Sequence, residues 1–526
     1  MKKMILFTVL FWVTYSISGY SQNESFKNVQ TAWQLITNFY VESVDDKELA
    51  REAIEGMLKK LDPHSVLIPP EEVSAMNEPL DGNFEGVGIE FAILRDTLTV
   101  VATVAGGPSE EVGIMPGDRI IEIDGENVAS VGLMNSDVIS MLRGEKGTKV
   151  DVKVYRRNQG VLPTFTVTRD KIPINSMDAS YMVSPTSGYI KLSRFSVTSH
   201  DEFLEAIEQL SNEGMENLIL DLRGNGGGYL TAALKIADEF IPGGNMLLYT
   251  EGSAVPRRQH NSSRNGVFEE GNLLILIDEG SASASEIVAG AVQDWDRGIV
   301  LGRRSFGKGL VQRPFSLPDG SEVRLTVANY YTPSGRSIQK PYDDGNDEYY
   351  KEILMRVENG EVYSPDSIKI EDDNYYETLI NNRPVFGGGG IVPDVFVAAD
   401  TTGYSTLYRA AVASGLLNRV AMNYVDDNRT ELIDTYSDFE LFYSDFKIDK
   451  DFYNYFLSEA EELDIEYGDD DAEVSKELIK NHIKALIARD IWDTTKYFRV
   501  VNPNMPVYRE ALRILDDENL YSDILK

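Results

Sequence analysis

Five consecutive apolar residues, Leu273–Ile277, run without a polar break in the segment GNLLILIDEG. A strand with one wet face alternates apolar and polar residues, so an unbroken run of this length implies burial on both faces. SGYIKL, ENLILDLR, GIVLG and VRLTVANYYT share the texture, and SHDEFLEAIEQLSN, YLTAALKIADEF and ASEIVAGAVQDW between them have helical periodicity. Strands alternating with helices that cover both sheet faces make an α/β domain, expected here over residues 171–400.

The flanking textures differ. Phe26, Val29, Trp33, Ile36 and Tyr40 step by three and four, and a second helical stretch, from Lys47 to Leu61, stops at LDPH, where Pro63 breaks it. Residues 22–80 are therefore expected to form a helical N-terminal region. Residues 81–170 change to short alternating strands, FEGVGIEF, TLTVVATV, DRIIEIDGENV and TKVDVKVYRR, with one helix, NSDVISMLRG, and a D-G turn. Residues 341–383 are acidic, rich in tyrosine and read as an insertion, and 401–526 read as an acidic helical region. The chain is a multidomain α/β protein without internal repeats.

A basic start, MKKM, precedes an apolar run from Ile5 to Ile17, and Gly19 and Ser21 stand at the −3 and −1 positions before Gln22. That pattern is a secretory signal over residues 1–21. The protein is expected to be exported to the periplasm; an uncleaved leader would anchor it to the inner membrane, although the run falls short of the roughly 20 apolar residues a span needs.

With no cysteine in the chain, thiol nucleophiles, disulfides and cysteine-ligated metals are excluded. His64, His200, His260 and His482 occur singly and no H-E-x-x-H is present. A formal charge of −35 disfavours nucleic acid, whose phosphates require clustered Lys and Arg. GRRSFGKG (Gly302–Gly309) matches G-x-x-x-x-G-K, but Gly309 stands where Ser or Thr must reach magnesium, and GNGGGY (Gly224–Tyr229) breaks the dinucleotide register.

Both strings instead offer backbone. In ILDLRGNGGG four glycines stand where a strand becomes a helix, more than a tight turn requires, which favours N–H groups approaching an anion or oxyanion. In LLILIDEGSASASEIVAGAVQDW a buried strand meets Ser281, Ser283 and Ser285 before a helix. A serine there sits on a rigid element beside a helix N-terminus; the plainer reading, Ser285 with Glu286 as an N-cap, prevails on this segment alone. A nucleophile also needs a base. His200 is the one histidine expected in the first α/β helix, and a lysine serves only if burial lowers its pKa from about 10.4 toward about 7, a shift of about 4–5 kcal/mol. Lys308, between glycines and flanked by Phe306 and Leu310, fits that niche.

Taken together these segments resemble the carboxyl-terminal processing, or tail-specific, serine proteases that carry a PDZ domain. The resemblance spans about residues 30–400 through AIEGMLKKLDPHS, FEGVGIEF, GIMPGDRIIEIDGENV, DLRGNGGG, GSASASEIVAGAVQD, SFGKGLVQ, LPDGSEVRLTVANYYTPSGRSI and GGIVPD. It implies a crotonase/ClpP-like α/β core with an inserted PDZ domain over 81–170. It implies Ser283 as nucleophile, Lys308, 25 positions on, as base, and Gln312 orienting the lysine amine. Asp294 would be supportive and structural, and the oxyanion hole would combine the Ala284 N–H with that of Gly228 or Gly227, ahead of Tyr229. Gly86, Val87, Gly88 and Ile89 would cradle a chain-terminal carboxylate, with Ile89 and Phe91 lining the pocket for the last side chain. The implied function is an exported endopeptidase that recognises protein or peptide C-termini, with an adaptor protein or a second copy of the chain as further partners. The serine acyl-transfer chemistry that the resemblance implies requires no metal and no cofactor. The alternatives are a catalytically silent PDZ scaffold and an acyl-CoA enzyme of crotonase-like architecture. Residues 341–383 and 401–526 fall outside the shared segments, and oligomerisation, adaptor binding and gating are all open to them.

Overall fold

The structure is a computed structural model that describes residues 24–526 apart from 158, 264 and 371. The expected leader lies outside the described residues, and no helix among them is long and apolar enough to cross a membrane.

The N-terminal region contains α1 (Glu24–Phe39), α2 (Asp46–Leu58), a short strand β1 (Val66–Ile68) and α3 (Pro70–Asp81). Asp45 starts α2 by accepting the N–H groups of Lys47 and Glu48. Periodicity predicts a purely helical region, but the structure adds a strand: β1 joins a sheet of the following domain. α1 leaves Phe26, Val29, Leu35, Ile36 and Phe39 exposed.

Strand Asn83–Gly86 then pairs antiparallel with Asp170–Pro173, so the chain enters and leaves the β module at one neck. Between them, seven strands form a sheet around a separate core that includes Val87, Leu98, Ile120, Val138, Val152 and Val167. Arg95 and Arg157 of this module pair with Asp427, and Arg119 pairs with Asp426, on the helix Leu416–Thr435.

The α/β domain runs β2 (Met177–Met182), β3 (Ser187–Leu192), α4 (Ser199–Asn212), β4 (Asn217–Asp221), α5 (Leu230–Asp238), β5 (Met246–Glu251), β6 (Arg258–Asn261), β7 (Leu273–Ile277), α6 (Ala284–Asp294), β8 (Ile299–Gly302), β9 (Leu310–Ser316), β10 (Glu322–Tyr331), α7 (Asn346–Glu358) and β11 (Val395–Phe396). One sheet has the order β2-β3-β4-β7-β8-β11, parallel except at β2–β3. A second, antiparallel sheet has the order β1-β10-β5-β6, with β9 also on β10.

The burial inferred for Leu273–Ile277 has two sources. On one face α4, α5 and α6 supply Phe203, Leu210, Ile236, Val288 and Val292. On the other face lie the last two helices of the chain, α8 (Pro506–Leu515) and α9 (Glu518–Ile524), whose Val507, Tyr508, Ile514, Leu515 and Tyr521 pack on Tyr189, Ile219, Leu274, Leu276, Ile299 and Leu301. The Tyr521 hydroxyl also donates to the Leu273 carbonyl and accepts its N–H, at 3.2 and 3.0 Å. The acidic C-terminal region is thus divided: its end completes the sheet, while the helices before it build their own core around Val420, Phe442, Phe456, Ile483 and Leu486.

Candidate active site

The turns after β4 and β7 are sewn together by Asn225. Its side chain donates to the Leu192 carbonyl and accepts the Gly227 N–H, both at 2.9 Å. Its backbone carbonyl accepts the Ala282 N–H at 3.0 Å and the Ser285 hydroxyl at 2.8 Å. The contact demands glycine. Gly227 has φ +102°, and a Cβ there would lie 2.9 Å from the Ser283 Cβ; a Cβ on Gly228 would collide with the Phe195 carbonyl.

The three serines separate by their partners. Ser281 donates to the Leu222 carbonyl at 2.9 Å and Ser285 to Asn225, so both hydroxyls are spent on the turn. Ser283 faces a cavity of about 490 Å³, and its φ of 54° and ψ of −108° hold it in a region L-residues rarely adopt. Ser283, not Ser285, occupies the N-cap of α6.

Glu286 organises this turn from within. Fully buried, its carboxylate accepts the N–H of Ser283 at 2.7 Å, the Ser305 hydroxyl at 2.6 Å, and the N–H groups of Gly307 and Lys308 at 2.7 and 2.9 Å. One carboxylate therefore ties the serine turn to the lysine loop. Burial pushes its pKa up, opposed by those four donors. The Tyr330 hydroxyl adds a bond to the Ser283 carbonyl at 3.1 Å.

Lys308 enters the same cavity, and its Nζ donates to Gln312 Oε1 at 2.9 Å. Gln312 Nε2 donates in turn to the His64 carbonyl. Among the described residues no hydrogen bond joins Ser283 Oγ to Lys308 Nζ, although both side chains line the one cavity. Burial lowers the Lys308 pKa, the Asp62 and Glu286 carboxylates oppose it, and Arg324 adds to the lowering. The same cavity is lined by Gly226, Gly227, Gly228 and Ala284. The Gly227 N–H is taken by Asn225, whereas those of Gly228 and Ala284 have no acceptor among the described residues.

Two residues weighed from sequence stand apart. Asp294 is buried against Arg336 at 2.8 Å and accepts the Ser334 N–H, a structural placement. His200 is buried with its Nε2 2.7 Å from Glu239, outside the cavity lining. The histidine beside the site is His64, which sequence reading left unassigned; burial and Lys308 push its pKa down to about 4. Also missed were Asn225, Tyr330 and the role of Glu286, although the S-x-x-E spacing of Ser283 and Glu286 is a capping signal legible in sequence.

In the β module Gly86, Val87, Gly88, Ile89 and Phe91 line a second cavity of about 200 Å³, walled also by Phe84, Ile139 and Leu142. The N–H groups of Val87 and Gly88 have no acceptor among the described residues.

Comparison with known proteins adds an independent line. Residues 186–344 match the peptidase family S41, 99–156 a PDZ domain, and 14–71 the N-terminal domain of the activating protease CtpB. Residues 407–493 match a family of unknown function. The carboxyl-terminal-processing protease of Synechocystis sp. is 36% identical over 322 residues, which cover 60% of this chain and 74% of that protein. The carboxy-terminal-processing protease of Bartonella bacilliformis is 32% identical over 357 residues, covering 64% and 80%. Among solved structures, a photosystem II D1 C-terminal processing protease is 29% identical, covers 60% of this chain and 85% of its own, and superposes with a TM-score of 0.35. The chain belongs to the carboxyl-terminal processing proteases of peptidase family S41 and is a serine-type peptidase with a PDZ domain.

Proposed function

We propose that the protein is an exported endopeptidase that cleaves protein substrates recognised at their C-termini, using Ser283 as nucleophile and Lys308 as general base. The observation that carries this reading is the convergence of Ser283, Lys308, Gln312 and two acceptor-free N–H groups, Gly228 and Ala284, on one cavity. Neutral Lys308 takes the Ser283 proton as Oγ attacks the scissile carbonyl, and the carbonyl oxygen becomes an oxyanion facing the Gly228 and Ala284 N–H groups. The resulting ammonium protonates the departing amine. Water then attacks the acyl-serine ester, Lys308 takes the water's proton, and Ser283 regains its own. Gln312 Oε1 holds the amine throughout. We read the core as crotonase/ClpP-like and residues 1–21 as the export signal that delivers it to the periplasm.

The PDZ pocket accounts for recognition. Apolar walls from Phe84, Ile89, Phe91, Ile139 and Leu142 suit an apolar last side chain, and the Val87 and Gly88 N–H groups suit its carboxylate. The exposed apolar face of α1 suits a second copy of the chain.

The test compares the protein with Ser283→Ala on an unfolded substrate ending in an apolar residue, and on the same substrate with an amidated end. Cleavage by the parent alone, weakened by amidation, is expected. Equal cleavage by both proteins, or tight C-terminal binding without cleavage, refutes the proposal and the latter leaves a scaffold.

A further inference from the structure

Residues 341–383 send α7 back over the loop that carries Lys308. Arg356, 3% exposed, donates to the carbonyls of Arg304, Ser305 and Phe306 at 3.3, 2.7 and 3.1 Å, three successive residues just ahead of Gly307 and Lys308. Glu352 steadies that guanidinium at 2.7 Å and also pairs with Lys340 and Arg304. The first turn of α7 grips a different segment. The Tyr350 hydroxyl donates to the Pro63 carbonyl at 2.7 Å, and the Tyr349 hydroxyl lies 2.8 Å from His64 Nε2.

That second segment ends on the base. Asp62 accepts the N–H groups of His64 and Ser65 at 2.9 and 3.0 Å and so sets the turn, and the next carbonyl, that of His64, accepts Gln312 Nε2. A glutamine amide can present either end. With Nε2 committed to His64, Oε1 is the end left for Lys308. Phe306 closes the space between the two segments, its ring centroid 6.3 Å from that of His64 and 5.9 Å from that of Tyr349.

Resting on the reading of Lys308 as base, we infer that Tyr349, Tyr350 and Arg356 of α7 are positioning residues for it. They clamp the Lys308 loop and the 62–65 turn together so that the Lys308–Gln312 bond keeps its geometry and water stays out. None of the three lines the catalytic cavity or touches Ser283. The charged and titratable groups facing the lysine are Asp62 and His64 from the turn, Glu286 from α6 and Arg324 from β10, with Asp81 of α3 and Glu322 and Tyr330 of β10 also on the cavity wall; Lys340, Glu352 and Arg356 stand behind its loop.

The test uses the full chain with Tyr349→Phe and Tyr350→Phe combined, which removes two hydroxyls and no packing, beside Arg356→Lys, which keeps charge and loses the fork. A quenched fluorogenic peptide ending in an apolar residue reports kcat and KM across pH, and thermal unfolding is followed in parallel. The tyrosine pair is expected to lower kcat by about 10–100-fold with KM within about twofold, as misplacement of a catalytic group by up to about 1 Å does. Water admitted to the lysine returns its pKa toward the ordinary value, so the acidic limb of kcat/KM moves to higher pH. Unchanged kcat overturns the inference, as does a loss of kcat that tracks loss of folded protein while the limb stays put. If Arg356→Lys does not fold, the tyrosine pair decides alone. Lys308→Ala runs as control: if it turns over, the base assignment falls and this inference with it, whereas a silent Lys308→Ala beside a fully active tyrosine pair sinks the inference only.

Discussion

Replacing Glu286 by Gln is the smallest change that separates the serine turn from the lysine loop. The shape is kept, but one of the two oxygens becomes an NH₂ group. With Oε1 retained, the Ser305 hydroxyl and Gly307 N–H keep their acceptor, and the N–H groups of Ser283 and Lys308 now face donors. Each hydrogen bond to a charged group is worth about 1.5–3 kcal/mol, so losing two costs about 3–6 kcal/mol before any relaxation. For a domain of this size that corresponds to a fall of about 6–24 °C in its unfolding transition. Relaxation means that the Ser283 backbone leaves its strained φ of 54° and the lysine loop drifts, which is expected to lower kcat by at least about 100-fold. Residual activity carries a second signature. Glu286 raises the Lys308 pKa, so its neutralisation lowers that pKa and moves the acidic limb of kcat/KM to lower pH. Differential scanning calorimetry and pH-resolved peptide cleavage measure both. A variant with kcat within threefold of the parent and an unchanged transition would refute the bridging role.

Three further outcomes follow from the same geometry. Lys308→Arg is expected to fold and to lose turnover, because guanidinium stays protonated, and in the parent the acidic limb of kcat/KM should lie below the ordinary lysine range, since burial lowers this amine; pH profiles of the two proteins check it. Gly228→Ala places a methyl against the Phe195 carbonyl at φ +149°, so it should abolish cleavage and labelling of Ser283 by a fluorophosphonate while PDZ binding of an apolar C-terminal peptide persists. Removing residues 506–526 uncovers Tyr189, Ile219, Leu274, Leu276, Ile299 and Leu301, each worth about 1.5–3 kcal/mol when buried, so soluble folded protein should be lost, whereas Tyr521→Phe should cost only about 1–2 kcal/mol in a denaturation curve.

Much of the sheet was legible because burial on both faces writes itself into sequence as an unbroken apolar run, and Leu273–Ile277 needs no partner to be recognised. What covers its second face was not. The covering helices, α8 and α9, lie more than 200 residues downstream, and amphipathic periodicity reveals an apolar face without naming its mate. The site divides the same way. Ser283, Lys308, Gln312 and the glycines stand in short strings whose chemistry is local. His64 and Asp62 reach Gln312 through a backbone carbonyl and a turn, contacts that depend on position and not on side-chain type. Residues 341–383 looked peripheral because acidic, tyrosine-rich composition describes a solvated surface equally well; that Arg356 turns inward to three carbonyls is a property of tertiary packing.

The electrostatics of Lys308 bring these parts into one balance. A lysine in a strongly acidic protein ought to stay charged, and Asp62 and Glu286 each favour its ammonium form. Yet burial outweighs them and the pKa falls. The reason lies in where each carboxylate has committed its oxygens. Glu286 is saturated by four donors from the two loops, and Asp62 by the N–H groups of His64 and Ser65 and the hydroxyls of Ser65 and Thr326. Neither carboxylate makes an ion pair with the amine, whose hydrogen-bond acceptor is the neutral amide oxygen of Gln312. Freeing an oxygen of Asp62 or Glu286 to reach Nζ would stabilise the ammonium and, on the proposed mechanism, remove the general base. The contacts that shape the two loops therefore also hold their carboxylates away from the lysine, and the fold and the pKa of the Lys308 amine depend on the same hydrogen bonds.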